Sequence, residues 1–283
     1  MIICTNKNTL NQAIDTCKAH SKTIGFVPTM GALHAGHISL INRSTAECDA
    51  TVASIFVNPV QFNNPNDLQT YPRTLEADLA LLEKNGCDIV FVPQVEDMYP
   101  EGMQNLEQYD FGALETVMEG AFRPGHFNGV AIVVKRLFDL VRADKAFFGD
   151  KDFQQVAIIK QLVRQCTIPI HIIACPIVRE TDGLAMSSRN VRLTADERTS
   201  AAHISHTLFA AQKMVHTHSV QEVKDFVIQS INAVQALEVE YFDIVDDTHL
   251  QPVGSWNDAA RIVGCVAVHV GAVRLIDNVV LIN

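Results

Sequence analysis

Basic charge is scarce in this chain. Lys and Arg number 22 against 32 Asp and Glu, giving a net charge of −10 and a pI near 5.5. A general nucleic-acid binder needs a basic face, so that class is set aside, while a local basic pocket for a small anion is not. Long apolar runs are missing too. No stretch approaches the ~20 residues of a membrane helix, so no membrane partner is expected. The opening "MIICTNKNTLNQ" lacks the charged start and apolar run of a signal peptide. The seven cysteines (Cys4, Cys17, Cys48, Cys87, Cys166, Cys175 and Cys265) include no CxxC pair. They read as reduced thiols of a cytoplasmic protein, and no catalytic motif surrounds any of them. Neither internal repeats nor low-complexity tracts are found.

What is present is a globular composition. The 283 residues are 48% hydrophobic and 19% charged, enough to bury a core in one large domain or two ordinary ones. Strand and helix signals alternate through residue 175. Apolar segments at 23–27, 51–57 and 88–92 read as strands. Between them lie a helix over 37–48 and a second helix that starts at an N-cap, Thr74, and stops at Gly86. Leu75, Leu79 and Leu82 are expected to form the apolar face of that second helix. An irregular stretch rich in Pro, Gly, Glu and Met covers 93–127, a length that usually marks a functional or mobile loop. The spacing then predicts a helix over 129–142, a strand at 145–149, a helix over 153–165 and a strand at 169–174. Repeated β–α–β units of this kind predict an α/β fold, a doubly wound parallel sheet with helices on both faces.

Beyond Pro176 the pattern changes. Thr194 with Glu197 and Ser219 with Glu222 make capping boxes that open two helices, and strands follow at 237–245 and 261–270. Helices first and strands later predict a smaller α+β domain over 177–283, after a first domain over 1–176.

Ligands of a doubly wound sheet bind beyond the carboxyl ends of its strands. "PTMGALHAGH" (28–37) occupies such an end and places His34 and His37 at a helix start. Gly31 and Gly36 let the backbone come close to a ligand, and the free N–H groups of the helix favour an anion. On spacing alone the stretch stays open between a phosphate site, a turn with incidental histidines, and a metal pair that lacks a third ligand. At the next strand end, Asn58 and Gln61 suit hydrogen bonding to hydroxyls or carboxylates without adding charge. "FRPGHFNGV" (122–130) brings Arg123 and His126 to a turn before a helix, a second candidate anion site. In "FFGDKDFQQ" (147–155), Lys151 stands at a helix start where the dipole disfavours a cation. That conflict suggests a bound anion, and Gln155 follows one turn in. "AMSSRNVRL" (185–193) offers Ser187, Ser188 and Arg189 as a phosphate clamp. Glu76 and Asp78 are the acidic candidates for Mg²⁺, which needs only one or two protein carboxylates beside substrate phosphates. First-turn acids serve equally as dipole partners.

With "SIFVNPVQF", "YPRT" and "MSSRN" these segments occur in one order, and together they resemble the pantothenate synthetase (pantoate–β-alanine ligase) family over essentially the whole chain. The HxGH histidine pair by itself is shared with the wider nucleotidyltransferase superfamily and class I aminoacyl-tRNA synthetases. The resemblance implies a Rossmann-like domain with a small C-terminal lid, in a cytoplasmic homodimer of the pantothenate and coenzyme A pathway. ATP and (R)-pantoate would form pantoyl adenylate and pyrophosphate, with Mg²⁺ accompanying the nucleotide. The amine of β-alanine would then attack, giving pantothenate and AMP.

Carried onto matching positions, ATP would contact Met30, Gly31, Ala32, Leu33, His34, Ala35, Gly36 and His37. It would also meet Gly149, Asp150, Lys151 and Asp152, then Val178, then Met186, Ser187, Ser188 and Arg189. His34, His37 and Lys151 would be catalytic, with His37 the proton donor. Gln61 and Gln155, with Asn58 and Arg123, would bind pantoate, and Gln61 would also meet β-alanine. The family pattern is broken in small ways. GDKD replaces the commoner GEKD or GQKD, and Met186 replaces leucine. Ala77 interrupts the acids after YPRT, which leaves Asp78 as the expected Mg²⁺ ligand.

Overall fold

Phe26, Phe91 and Phe147 are all fully buried, and each sits on a different strand of one parallel sheet. The structure, a computed structural model, describes residues 1–283. The chain forms two compact units. The first comprises Met1–Phe111, Arg123–Asp150 and Ile158–Pro176, and the second Gly112–Phe122, Lys151–Ala157 and Ile177–Asn283. The expected division at residue 176 is thereby modified, because two short pieces that precede it belong to the second unit. Their reason for being there is local. Gln154 donates to the carbonyls of Leu114 (2.7 Å) and Val117 (2.9 Å), and Phe153, Leu114 and Val117 pack with Tyr241 and Val245.

In the first unit the strands are β1 (Ile2–Cys4), β2 (Ile24–Thr29), β3 (Ala50–Ile55), β4 (Ile89–Phe91), β5 (Lys145–Gly149) and β6 (His171–Cys175). Their order is β1-β4-β3-β2-β5-β6, with every neighbouring pair parallel. The order reverses at β2, which has β3 on one side and β5 on the other. Such a reversal opens a crevice beyond the carboxyl ends of the flanking strands. Strands covered on both faces are apolar throughout rather than alternating, and β3 is buried along its whole length. Val27, Ile41, Ala53, Leu82, Val90 and Phe147 share one core cluster. A fully buried side chain of this size stabilises by roughly 1.5–3 kcal/mol.

Helices α1 (Lys7–Ala19), α2 (Ala35–Glu47), α3 (Pro65–Thr70) and α4 (Leu75–Lys84) precede β4. The sequence reading did not anticipate β1 or α1. The strand is three residues long with Ile2 and Ile3 exposed, and the helix is polar apart from buried Leu10, Ala13 and Ile14. Helix α4 turns a different face inward than expected. Leu82 is buried, but Leu75 is 42% exposed and Asp78 only 2% exposed. The irregular 93–127 stretch contains short helices α5 (Val95–Met98) and α6 (Met118–Phe122). Helix α7 (His126–Val141) starts at His126 rather than 129, and α8 (Phe153–Gln165) follows β5. No helix is long and apolar enough to cross a membrane. Among the thiols, burial pushes Cys87 up to about 12, so it stays protonated at neutral pH.

The second unit carries α9 (Ala195–Met214), α10 (Val220–Asn232) and an antiparallel sheet of β7 (Leu237–Asp246), β8 (Ile262–Val270) and β9 (Val273–Ile282). Both expected capping boxes are formed, Thr194 with Glu197 and Ser219 with Glu222. Ile204, Leu208, Val223 and Val227 of the helices pack on Phe242, Val266 and Val268 of the sheet. Strand β9 escaped the sequence reading because Arg274, Asp277 and Asn278 interrupt its apolar pattern.

Arg274 and its neighbours form a charged network. The guanidinium bonds both oxygens of Glu119 (2.9 and 2.6 Å) and also Glu240, which His269 meets at 3.1 Å. Tyr241 donates its hydroxyl to Glu119 at 2.9 Å. Burial, with Glu119 beside it, raises the phenol far above its ordinary value, so it remains a neutral donor. Glu119 is 7% exposed, and losing its carboxylate leaves Tyr241 without that acceptor and Arg274 with Glu240 alone. Removing one partner of a buried charged network costs about 3 kcal/mol or more. Glu119→Ala is therefore expected to lower stability by about that much in urea denaturation. Glu119→Gln, which keeps an acceptor for Tyr241, is expected to lose less.

Candidate active site

At the carboxyl end of β2, Thr29 donates its hydroxyl to Ser54 O (2.7 Å) and accepts the Gly31 N–H (3.1 Å). The chain then turns sharply, with φ of +78° at Gly31 and +50° at Ala32. A Cβ on Gly31 would lie 3.0 Å from Asp78 Oδ2 and 3.1 Å from Ile55, so the left-handed φ and the close approach both call for glycine. The carboxylate of Asp78 receives the N–H groups of Ala32 (2.9 Å) and Leu33 (2.8 Å) and the hydroxyl of Thr74 (3.1 Å).

His34 is the N-cap of α2. Its Nδ1 accepts the Gly36 N–H at 3.1 Å, and Nδ1 of His37 accepts the His34 N–H at 3.3 Å. The two rings lie 4.1 Å apart, centre to centre, tilted by 48°. A ring nitrogen that accepts a backbone N–H carries no proton, so in each neutral imidazole the proton sits on Nε2. The capping geometry thus fixes the tautomer and makes Nε2 the donor atom of each half-buried ring at a helix start.

Beyond β3, Asn58 is 1% exposed and works as a hub. Its amide donates to Gly129 O and to Gln61 Oε1 (both 3.2 Å), while its Oδ1 accepts the Tyr99 hydroxyl at 2.6 Å. Burial pushes that phenol up to about 12, which keeps it a donor. Gln61 completes its own amide by donating to Met30 Sδ at 3.0 Å. The Gln61 carbonyl accepts from His126 Nδ1 (2.9 Å), whose Nε2 meets Arg123 Nη1 at 3.1 Å. Arginine only donates, so His126 is neutral with its proton on Nδ1. Gly129 allows the approach of α7 to this turn, since a Cβ there would come within 2.6 Å of Val60 O. In this arrangement Gln61 is held by Asn58, His126 and Met30, and Asn58 itself is too enclosed to face solvent.

Gly149 ends β5 and Asp150 follows it, both half-buried, in the first unit. In the second unit, Lys151 and Asp152 complete a 3₁₀ turn before α8, with Lys151 Nζ 3.7 Å from Asp152 Oδ1. The expected clash of this cation with the helix dipole is eased by that acid. Gln155 is half-buried on α8. Val178 accepts the N–H of Met186 (3.0 Å), and an antiparallel bridge joins Arg179 to Ala185. Ser187 caps a 3₁₀ turn over Ser188–Arg192 by accepting the Arg189 N–H (3.2 Å), and Asn190 ties back to Ala185 O (3.1 Å). Ser188 is buried, while Ser187 and Arg189 are half-buried.

Three contributors were not visible as such in the sequence. Tyr99 lies in the irregular stretch, His126 looked like an anion ligand, and Asp78 looked like a metal ligand or dipole partner. Only Asp78 carried a legible signal, an acid in place of an apolar residue on the inward face of α4.

Residues 2–280 match the family model described as pantoate-beta-alanine ligase. A pantothenate synthetase of Bacteroides fragilis is 54% identical over 270 residues, covering 95% of each chain. That of Cytophaga hutchinsonii is 47% identical over the full length of both. Among solved structures, pantothenate synthetase of Thermus thermophilus superposes with a TM-score of 0.94 at 41% identity, covering 100% of both chains. A pantoate-beta-alanine ligase of Francisella tularensis, solved in complex with β-γ ATP and β-alanine, gives 0.84 at 38% identity over 99% of this chain and 98% of its own. The chain belongs to the pantoate–β-alanine ligase family.

Proposed function

We propose that this protein condenses pantoate with β-alanine using ATP, through a pantoyl adenylate. The observation that carries the reading is the imidazole pair whose tautomers leave both Nε2–H groups as donors at the start of α2. Pantoate's carboxylate attacks the α-phosphorus and pyrophosphate leaves. The β-alanine amine then attacks the acyl carbon, forming the amide and releasing AMP. Neither step needs a covalent nucleophile from the protein, so catalysis is positioning and charge stabilisation.

In this reading His34 and His37 donate to the phosphates, and His37 is the proton donor. Lys151, Ser187, Ser188 and Arg189 are further donors to the nucleotide. Met30 to Gly36, Gly149, Asp150, Asp152, Val178 and Met186 line the nucleotide. Gln61 and Gln155 hold pantoate without neutralising the carboxylate that must attack, and Gln61 also meets β-alanine. Arg123 and Asn58 act on pantoate through the residues they hold, His126 and Gln61. The working form is a cytoplasmic homodimer, on the strength of the family resemblance.

Asp78 does not fit a magnesium ligand. Three of its four lone-pair sites are taken by Ala32, Leu33 and Thr74, and it is 2% exposed. No group of three His, Cys, Asp or Glu side chains is arranged to hold a metal. Magnesium enters this reading only with the phosphates of ATP.

The decisive measurement is exchange of labelled pyrophosphate into ATP without β-alanine. It should depend on pantoate and fail with other hydroxy acids; an active preparation without such exchange would refute the adenylate. His37→Ala should lower kcat by about 10²–10⁴, and an unchanged kcat would remove it from the mechanism. Asp78→Asn should slow exchange about tenfold by loosening the loop, while the Mg²⁺ concentration for half-activity stays put. A large rise in that concentration would restore Asp78 as a metal ligand.

A further inference from the structure

Two consecutive residues of β9 hold two separate pieces of the second unit. The Asn278 amide donates to the backbone carbonyl of Lys151 at 3.1 Å. Asp277, next to it, takes Arg179 in a two-pronged pair, 2.6 Å from Nη1 and 2.9 Å from Nη2. The same guanidinium donates to Gly183 O (3.1 Å) and to Asn278 O (3.2 Å), and lies 4.9 Å from the centre of the Phe209 ring. Arg179 thereby closes the 179–185 hairpin from within and ties it to the strand. Asp277 and Asn278 are 5% and 6% exposed, and the Asn278 N–H donates to Asp277 Oδ1 at 2.7 Å. Burial raises the Asp277 carboxyl, against the pull of Arg179 and the Lys151 ammonium.

A strand that only completes a sheet has no need of such a cluster. Burying a carboxylate, a guanidinium and a carboxamide together costs more than burying apolar residues of the same volume. The arrangement does something apolar residues do not, because it fixes a backbone carbonyl at 151 and a hairpin at 179–185 to adjacent points of one rigid element. Both pieces border residues assigned above to ATP: Lys151 itself, and Val178 and Met186 at the two ends of the hairpin.

We propose that Asn278 and the Asp277–Arg179 pair are positioning residues for ATP, with Asn278 acting through Lys151. This rests on the functional reading given above. Neither side chain needs to touch the nucleotide. Asn278 sets where the Lys151 side chain starts, and an error of about 1 Å at such a point costs up to about 10²-fold in a well-oriented site.

A double-mutant cycle read on ATP affinity by calorimetry tests it. Asn278→Ala should raise the ATP dissociation constant about tenfold in the otherwise unaltered chain, and should add nothing in a Lys151→Ala background. An unchanged constant, or a tenfold loss repeated on top of Lys151→Ala, overturns the proposal, since a merely structural role persists without the lysine. If Asn278→Ala does not fold, Asn278→Ser is read in the same cycle, because its hydroxyl is too short to reach the carbonyl. An unaltered chain that binds no ATP brings down the functional reading itself, which is a different result.

Discussion

Asp78 sits on a helix more than forty residues along the chain from the loop it serves, and it receives two of that loop's backbone N–H groups. The left-handed residues Gly31 and Ala32 aim those N–H groups inward. Without an acceptor behind it, the turn would carry unsatisfied buried donors, each costing about 1–3 kcal/mol. With it, the loop leaves β2 in one conformation and delivers His34 to the N-cap of α2. The histidine tautomers follow from that cap, and with them the choice of Nε2 as the donor atom of each ring. A buried negative charge thus shapes the turn proposed above to meet phosphate, through its bonds to two backbone N–H groups and the Thr74 hydroxyl.

A similar arrangement supports the amide side of the site. Gln61 receives from Asn58, donates to Met30 and is held at its carbonyl by His126. Tyr99 and Arg123 stand behind those in turn. The groups assigned to substrate are therefore set by neighbours that are themselves hydrogen-bonded, Asn58 by Tyr99 and His126 by Arg123. Pre-organisation of this kind lets hydrogen-bond donors act on developing charge without first rearranging.

The parallel sheet was legible because strands buried on both faces are apolar end to end, and both capping boxes of the second unit were legible because their chemistry is local. Strand β9 was not, since its polar residues answer to Lys151 and Arg179, which are far away in sequence. The motif histidines could be read as chemistry, but their tautomers are decided by backbone N–H groups that only the folded turn brings to them. Asp78 and His126 stand out in the sequence as a metal and an anion candidate, while the bonds they make in the fold go to the 32–33 turn and Thr74, and to the Gln61 carbonyl and Arg123. A sequence states which side chains exist and leaves open which partner takes their lone pairs. The assignment of 112–122 and 151–157 to the second unit escaped for the same reason, because it rests on the bonds of Gln154 to Leu114 and Val117.

The contact at Gly129 bears on how far this scaffold can be re-engineered. At Gly129 helix α7 comes so close to the Asn58–Gln61 turn that a Cβ would lie 2.6 Å from Val60 O, and the Asn58 amide and the His126 ring bond across the contact. That boundary has no room for an added side chain at 129, and the side chains that cross it are tied up in hydrogen bonds of their own, Asn58 with Tyr99 and His126 with Arg123. Redesign of the acid site proposed around Gln61 would have to come from its other walls, with residues 58–61 and 129 as a fixed datum from which it is measured.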